Sequence, residues 1–256
     1  MGLTLNFQLR LPGELSKAAV LGVLGQLRER ATTLGFAQVS PIFTVAPGED
    51  FFASLEKPVP FELLFRHMVP CLTRAWETDT RGNAEWTQLA TTDVLGFVID
   101  PGDGCDHAIF GFGAAMSHGT ADRAETAQPP GDWFWDGFCR TQYASTNGDE
   151  HFLRCHLSLV ALLDSAIKLG IRVEVSDDGG YWETRSTEHL LAKLRTNNVL
   201  MAKIAAKMRE ALPDPDDLEA PIFDHPDYEA LAEHDAILFL EGLESEDDDD
   251  DDWVTR

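Results

Sequence analysis

Basic residues are scarce in this chain: 20 Lys and Arg stand against 44 Asp and Glu, a formal net charge of −24 over 256 residues. The bases are scattered rather than gathered into a patch, so a phosphate backbone would be repelled and no nucleic-acid partner is expected. Apolar runs long enough to cross a bilayer are missing too, and no membrane partner is expected. The start "MGLTLNFQLRLPGELSK" has no basic stretch leading into a continuous apolar run, so a signal peptide is not expected. Asn6 stands where a myristoylation signal needs Ser or Thr. Cysteine is sparse: Cys71, Cys105, Cys139 and Cys155 have no CxxC spacing, which points to a reducing cytoplasm rather than a disulfide framework. There is no GxSxG elbow, no GxxxxGK[ST] loop and no HExxH pair, so the common nucleophile, phosphate and zinc-protease signatures are excluded.

What the chain has in excess is acid, and that acid is unevenly placed. Residues 213–256 hold 18 acidic side chains against one base, Arg256, a balance of −17 that leaves −7 for the preceding 212 residues. The run "ESEDDDDDD" reads as a solvated, disordered tail over 244–256, attached through an acidic Pro/Asp linker and a helix within 213–243. Residues 1–212 then form a single domain, large enough to bury a substantial core.

Within that domain "TLNFQLRL" (4–11) alternates without fault: Leu5, Phe7, Leu9 and Leu11 on one side, Thr4, Asn6, Gln8 and Arg10 on the other. It is a half-buried strand. A helix from Glu14 to Leu34 follows, closed by Gly35, and a strand over 36–45 that Pro41 bends or confines to an edge. Residues 47–92 are hard to read. "DVLGFVID" and "HAIFGFGAA" flank the turn "PGDGCD" and predict a hairpin, and 117–132 have loop composition. The second half reads as a strand over 137–145, a helix from Glu150 to Leu169 ending at Gly170, a strand over 171–176 and a helix capped by Thr187 running to Leu212. A last acidic helix spans Tyr228 to Leu243. Alternating strands combined with helices predict an α+β fold: a mixed, largely antiparallel sheet with helices packed on one face, a two-layer sandwich. Its other face stays polar and open, lined by Thr4, Asn6, Gln8, Arg10, Arg140, Gln142, Arg172 and Glu174.

Two segments compete for a site. In "VSDDGGYWETR" the carboxylates of Asp177, Asp178 and Glu183 are candidate acids or bases beside Trp182; alternatively the segment is a turn that Gly179 and Gly180 make possible, with Tyr181 and Trp182 resuming a strand or anchoring the next helix. In "WFWDGFCRTQYAS", Arg140 and Gln142 on one face of a strand would set two polar heads within about 7 Å of each other for an anionic ligand. Tyr143, Tyr181 and Trp182 complete the ligand-binding candidates. Otherwise Trp133, Trp135 and Phe138 are core anchors. His156 is either a general base or a satisfied helix histidine. His151 and Cys155 lie four apart on a helix, but zinc needs four ligands, usually with a compact pair in sequence, and Cys155 reads as core filler. No metal and no cofactor are expected.

The stretches "MGLTLNF", "FCRTQYAS", "HFLRCHLSLVALLD" and "VSDDGGYWETR" together resemble a family of bacterial proteins without an assigned activity. The likeness covers residues 1–10 and roughly 94–200. It implies one unit of mixed α/β structure and carries over no catalytic residue. The functional expectation is a soluble, intracellular, non-catalytic binding protein for an unknown protein or small molecule, with a homodimer as a further arrangement. The alternative is an enzyme acting on a small polar or anionic substrate in a pocket between the 138–144 strand and the DDGGYWE segment.

Overall fold

A computed structural model of the chain describes residues 3–11, 13, 15–45, 74–78, 84–88, 91–115, 133–212 and 218–233. The expectations for most of 47–92, for the loop 117–132, for the last helix beyond Glu233 and for the acidic tail lie outside these residues.

The sheet is built around β1 (Thr4–Leu11), whose faultless alternation is realised side chain by side chain: Leu5, Phe7, Leu9 and Leu11 are buried while Asn6 and Gln8 are exposed. β1 pairs antiparallel with β8 (Trp133–Arg140) on one side and β9 (Arg172–Asp177) on the other. Beyond β8 come β7 (Ala108–Ala115) and β6 (Thr91–Asp100), the expected hairpin, and all recorded pairings are antiparallel. The strand expected over 36–45 is two short pieces, β2 (Gln38–Val39) and β3 (Phe43–Val45), both on the edge of β6. Pro41, which has no N–H to give a ladder, divides them. Ser40 bridges the break: its N–H donates to Val98 O and its hydroxyl accepts from Val98 N, both at 2.9 Å. β4 (Arg74–Thr78) and β5 (Ala84–Gln88) form a separate two-stranded hairpin.

Helices cover one face, as the alternation requires. α1 (Lys17–Ala31) begins at Ser16, whose hydroxyl accepts from Ala19 N, and buries Val20, Leu24, Leu27 and Ala31 at helical spacing. α2 (Asp149–Lys168) buries Leu159, Leu162, Leu163 and Ala166 against α1 and the same sheet face, so one continuous apolar core lies between the two layers. Phe7 stacks on Phe110 at 4.7 Å within it. After β9 come one helical turn, α3 (Tyr181–Thr184), and the long α4 (Thr187–Ala211). The cap of α4 is Ser186, accepting from His189 N, rather than the expected Thr187. Residues 218–233, with α5 (Tyr228–Glu233), pack on α4 through Ile222 and Tyr228 against Ala202 and Ala205.

The strand expected over 137–145 is shifted toward the N-terminus. It starts at Trp133, because Trp133 and Trp135 pair with Leu11 and Leu9; these two are buried core anchors inside the strand, whereas Phe138 is 38% exposed. It stops at Arg140: Thr141 N still donates to Leu3 O in register, but Leu3 N turns to the Gln142 side chain and a 3-10 turn takes over across Gln142–Asn147.

Two glycine classes carry opposite expectations. Gly22 and Gly25 sit inside α1 with open space where a Cβ would go, so replacing each by Ala should raise stability by up to about 1 kcal/mol. At Gly137 a Cβ would run into the Phe7 ring and press toward Ile109 O; Gly137→Ala should lose about 1–3 kcal/mol through overpacking. Urea midpoints at constant slope would check both signs.

Candidate functional site

The segments singled out in the sequence meet at one end of the sheet. β1 lies between β8 and β9, so Thr4 faces Arg140 on one side and extends its ladder to Asp178 on the other. Asp178 N donates to Thr4 O at 3.1 Å, and Thr4 N donates to the Asp178 carboxylate at 3.2 Å. Arg140 and Asp178 are thus two strand spacings apart, about 10 Å. They occupy the same end of the sheet without sharing a pocket wall.

Directly inside this end lies a hydrogen-bonded chain of three side chains. Thr141 Oγ1 is 3.0 Å from His156 Nδ1, and His156 Nε2 is 3.3 Å from Asp177 Oδ2. Each residue comes from a different element: Thr141 from the end of β8, His156 from the buried face of α2, Asp177 from the last position of β9. Thr141 and His156 are fully buried and the Asp177 side chain is inaccessible. The contacts fix the tautomer by inventory: an ionised carboxylate only accepts, so Nε2 carries the proton toward Asp177, and Nδ1 accepts from the Thr141 hydroxyl. Asp177 is further held by Gly179 N and Trp182 N, both at 2.9 Å. Burial pushes the Asp177 carboxyl up, but the hydrogen bond from His156 and the two backbone amides outweigh it, so it stays below the ordinary carboxylate value. Phe152 lies against the ring at 5.7 Å and Tyr181 meets it edge-on at 6.3 Å.

A hydroxyl, an imidazole and a carboxylate in a row also describe a hydrolase triad, but here the chemistry is closed. A triad needs its hydroxyl at a substrate and its general base free to pass a proton on. Thr141 and His156 are both fully buried, so neither the hydroxyl nor the imidazole meets a substrate. The chain acts as a cross-brace between β8, α2 and β9.

The remaining candidates separate. Gln142, expected on the open sheet face beside Arg140, is fully buried instead: the 3-10 turn aims it inward, where Oε1 accepts from Leu3 N and Nε2 donates to Asn198 Oδ1. Asn198 in turn donates to Ser145 Oγ at 3.1 Å and lies 3.4 Å from His225 Nε2. Tyr143 and Arg140 are half-buried, and Arg140 Nε is a buried N–H with no hydrogen-bond partner among the described residues. Tyr181 and Trp182 do not resume a strand. The Asp177 carboxylate accepts from Trp182 N and Gly180 takes a left-handed φ of 67°, which starts the α3 turn. Trp182 is covered by the Arg185 guanidinium at 4.5 Å, itself held in a bidentate pair to Asp164 at 2.9 Å, so the indole is no open stacking wall. Asp178 and Glu183 are exposed; Asp178 serves the ladder.

Sequence reading missed Thr141 and Gln142 as interior groups. Thr141 lies inward on the Cys139 side by alternation, whereas Gln142 is aimed inside by the turn after Arg140. Among the described residues, no group of three His, Cys, Asp or Glu side chains is arranged to hold a metal ion, and no helix is long and apolar enough to cross a membrane. No family model, curated protein or solved structure matches the chain.

The cross-brace has a measurable worth. Thr141→Val, which leaves Nδ1 unpaired, should cost about 1–3 kcal/mol; Asp177→Asn, which removes the charge that strengthens the His156 hydrogen bond and two amide bonds, about 1.5–3 kcal/mol. Because the Asp177 pKa is lowered on folding, its contribution is complete above the ordinary carboxylate value of about 4 and is lost as pH falls through the folded value. Denaturation curves at neutral and acid pH should therefore converge for wild type and Asp177→Asn at low pH; an undiminished gap there would contradict the assignment.

Proposed function

We propose that the chain is a non-catalytic binding protein of the reducing cytoplasm that engages a protein partner through the outer face of strands β8, β1 and β9. One observation carries this reading: that face is an uncovered three-stranded surface bearing an exposed aromatic. Asn6, Gln8, Asp136, Arg172, Glu174 and Ser176 are all exposed on it, and Phe138, 38% exposed, stands on the β8 side of it, directly across from Asn6. Interfaces of this kind combine a buried aromatic anchor with a polar rim.

The charges on the face offset one another although the chain as a whole is strongly acidic. Arg172 pairs with Glu174 at 2.8 Å, and Arg10 offsets part of the rise that burial imposes on the Asp136 carboxyl. A face balanced in this way favours a partner that offers hydrogen bonds and an apolar side chain over one steered by net charge. Against an enzyme stand the sealing of His156, the separation of Arg140 from Gln142, and the Arg185 cover over Trp182. The described cysteines 105, 139 and 155 are free thiols, in keeping with a reducing compartment.

A photocrosslinking residue placed at Gln8 should give a discrete protein adduct in cells, and Phe138→Asp should abolish it. The same crosslinker at Met208, exposed on α4, should give none of that adduct. An adduct at twice the chain mass would identify the partner as a second copy. No adduct, or one indifferent to Phe138→Asp, would remove this face from consideration.

A further inference from the structure

We propose that two copies of the chain join through the free edge of β9, pairing β9 with β9 antiparallel about a two-fold axis at Val173 and continuing the sheet of one copy into the other. β9 ends the sheet: it pairs with β1 on one side, and among the described residues no strand pairs with its other side. The register shows which backbone groups that free side carries. Asp178 N donates to Thr4 O directly opposite it, so by antiparallel alternation Ser176, Glu174 and Arg172 also spend their backbone groups on β1. The backbone groups of Val173 and Val175, which lie between them, point away from the sheet.

Proteins blunt such edges against unwanted pairing, and this sheet does so only at its opposite end. There Pro41 divides the strand into β2 and β3, pieces of two and three residues. β9 has six residues in unbroken register with β1, and no proline, lysine or bulge interrupts it. Its inward side chains are apolar, and Val173 and Val175 are only half-buried although they pack against the core. Ile167, in the last turn of α2 before the chain enters β9, is 47% exposed. Apolar side chains left part-open beside unpaired backbone are what an added strand covers.

The charges identify the added strand as a second β9. With the axis at Val173, that residue lies opposite its own copy and Ile171 lies opposite Val175. On the outer face Arg172 then lies opposite Glu174 of the second copy, and Glu174 opposite its Arg172. Arg172 and Glu174 already pair at 2.8 Å within one strand, with side chains 71% and 50% exposed. Joining two copies closes the four side chains into a square of alternating sign, and opposite charges across a ladder stabilise it. Sliding one strand by two residues either way sets Glu174 against Glu174 or Arg172 against Arg172, so the charges also select the register. The outer face of β8, β1 and β9 stays uncovered in the joined sheet, and this inference does not rest on the partner proposed for it.

Sedimentation equilibrium of the full chain should show self-association to twice the chain mass, and hydrogen exchange at the Val173 and Val175 amides should slow as concentration rises. Arg172→Glu and Glu174→Arg, each at an exposed side chain, should weaken the dimer about tenfold or more by setting like charges opposite each other. Mixing the two variants should restore a dimer, because every cross-strand pair is then opposite in sign, and that rescue also shows both variants to be folded. Phe138→Asp, which disables the outer face on β8, should leave self-association unchanged, so the two proposals fail separately. The edge pairing is overturned if the chain stays monomeric up to millimolar concentration, if either charge variant dimerises as well as the wild type, if their mixture does not associate, or if Phe138→Asp abolishes association.

Discussion

The hydrogen-bonded chain Thr141–His156–Asp177 is the constraint on which the described architecture depends. It joins the end of β8, the middle of α2 and the end of β9, three points that the chain reaches through long intervening segments. Apolar packing alone would let α2 slide or rotate on the sheet at small cost, since dispersion is not directional. A histidine required to meet a hydroxyl at one ring nitrogen and a carboxylate at the other admits one orientation. Its burial raises the stakes, because a partner lost inside the core leaves an unsatisfied polar group.

Four stretches of the chain, far apart in sequence, meet at this brace. The N-terminal strand supplies Leu3, whose N–H reaches Gln142, and Thr4, which exchanges hydrogen bonds with Asp178. "FCRTQYAS" supplies Thr141 and Gln142, the α2 stretch supplies His156, and "VSDDGGYWETR" supplies Asp177. All four converge on one end of the sheet, and what they build there is interior. Residues that look like acid–base machinery in sequence are consumed in positioning the layers. The outer face of the same strands is left polar and uncovered, which is where the proposed binding function resides.

How far the sequence could be read follows from how local each signal is. β1, the β6–β7 hairpin and helices α1, α2 and α4 are legible, because period-2 or helical spacing is written in consecutive residues and burial follows it. The end of β8 is not, because the ladder stops where the Gln142 side chain takes up Leu3 N and Asn198, both distant in sequence. The polar rows of the open face were legible at Thr4, Asn6, Gln8, Arg10, Arg140, Arg172 and Glu174, and failed at Gln142 for that one reason. Asp177 was visible as a turn acid, but its burial depends on His156 arriving from α2. Cys155 reads as core filler in sequence and is fully buried beside Phe152 in the structure.

The claim at the centre of this account is that His156 is sealed and structural, and chemical labelling of imidazoles reads it directly. The intact chain would be treated with diethyl pyrocarbonate at neutral pH and each histidine followed by peptide mass analysis. His156 should stay unmodified while the partly exposed His151, His189 and His225 react, and should become reactive only with urea, along the global unfolding curve. Labelling of His156 in the folded chain at a rate comparable to those three would contradict the account, for it would mean that solvent reaches the ring and that the triad is open to chemistry.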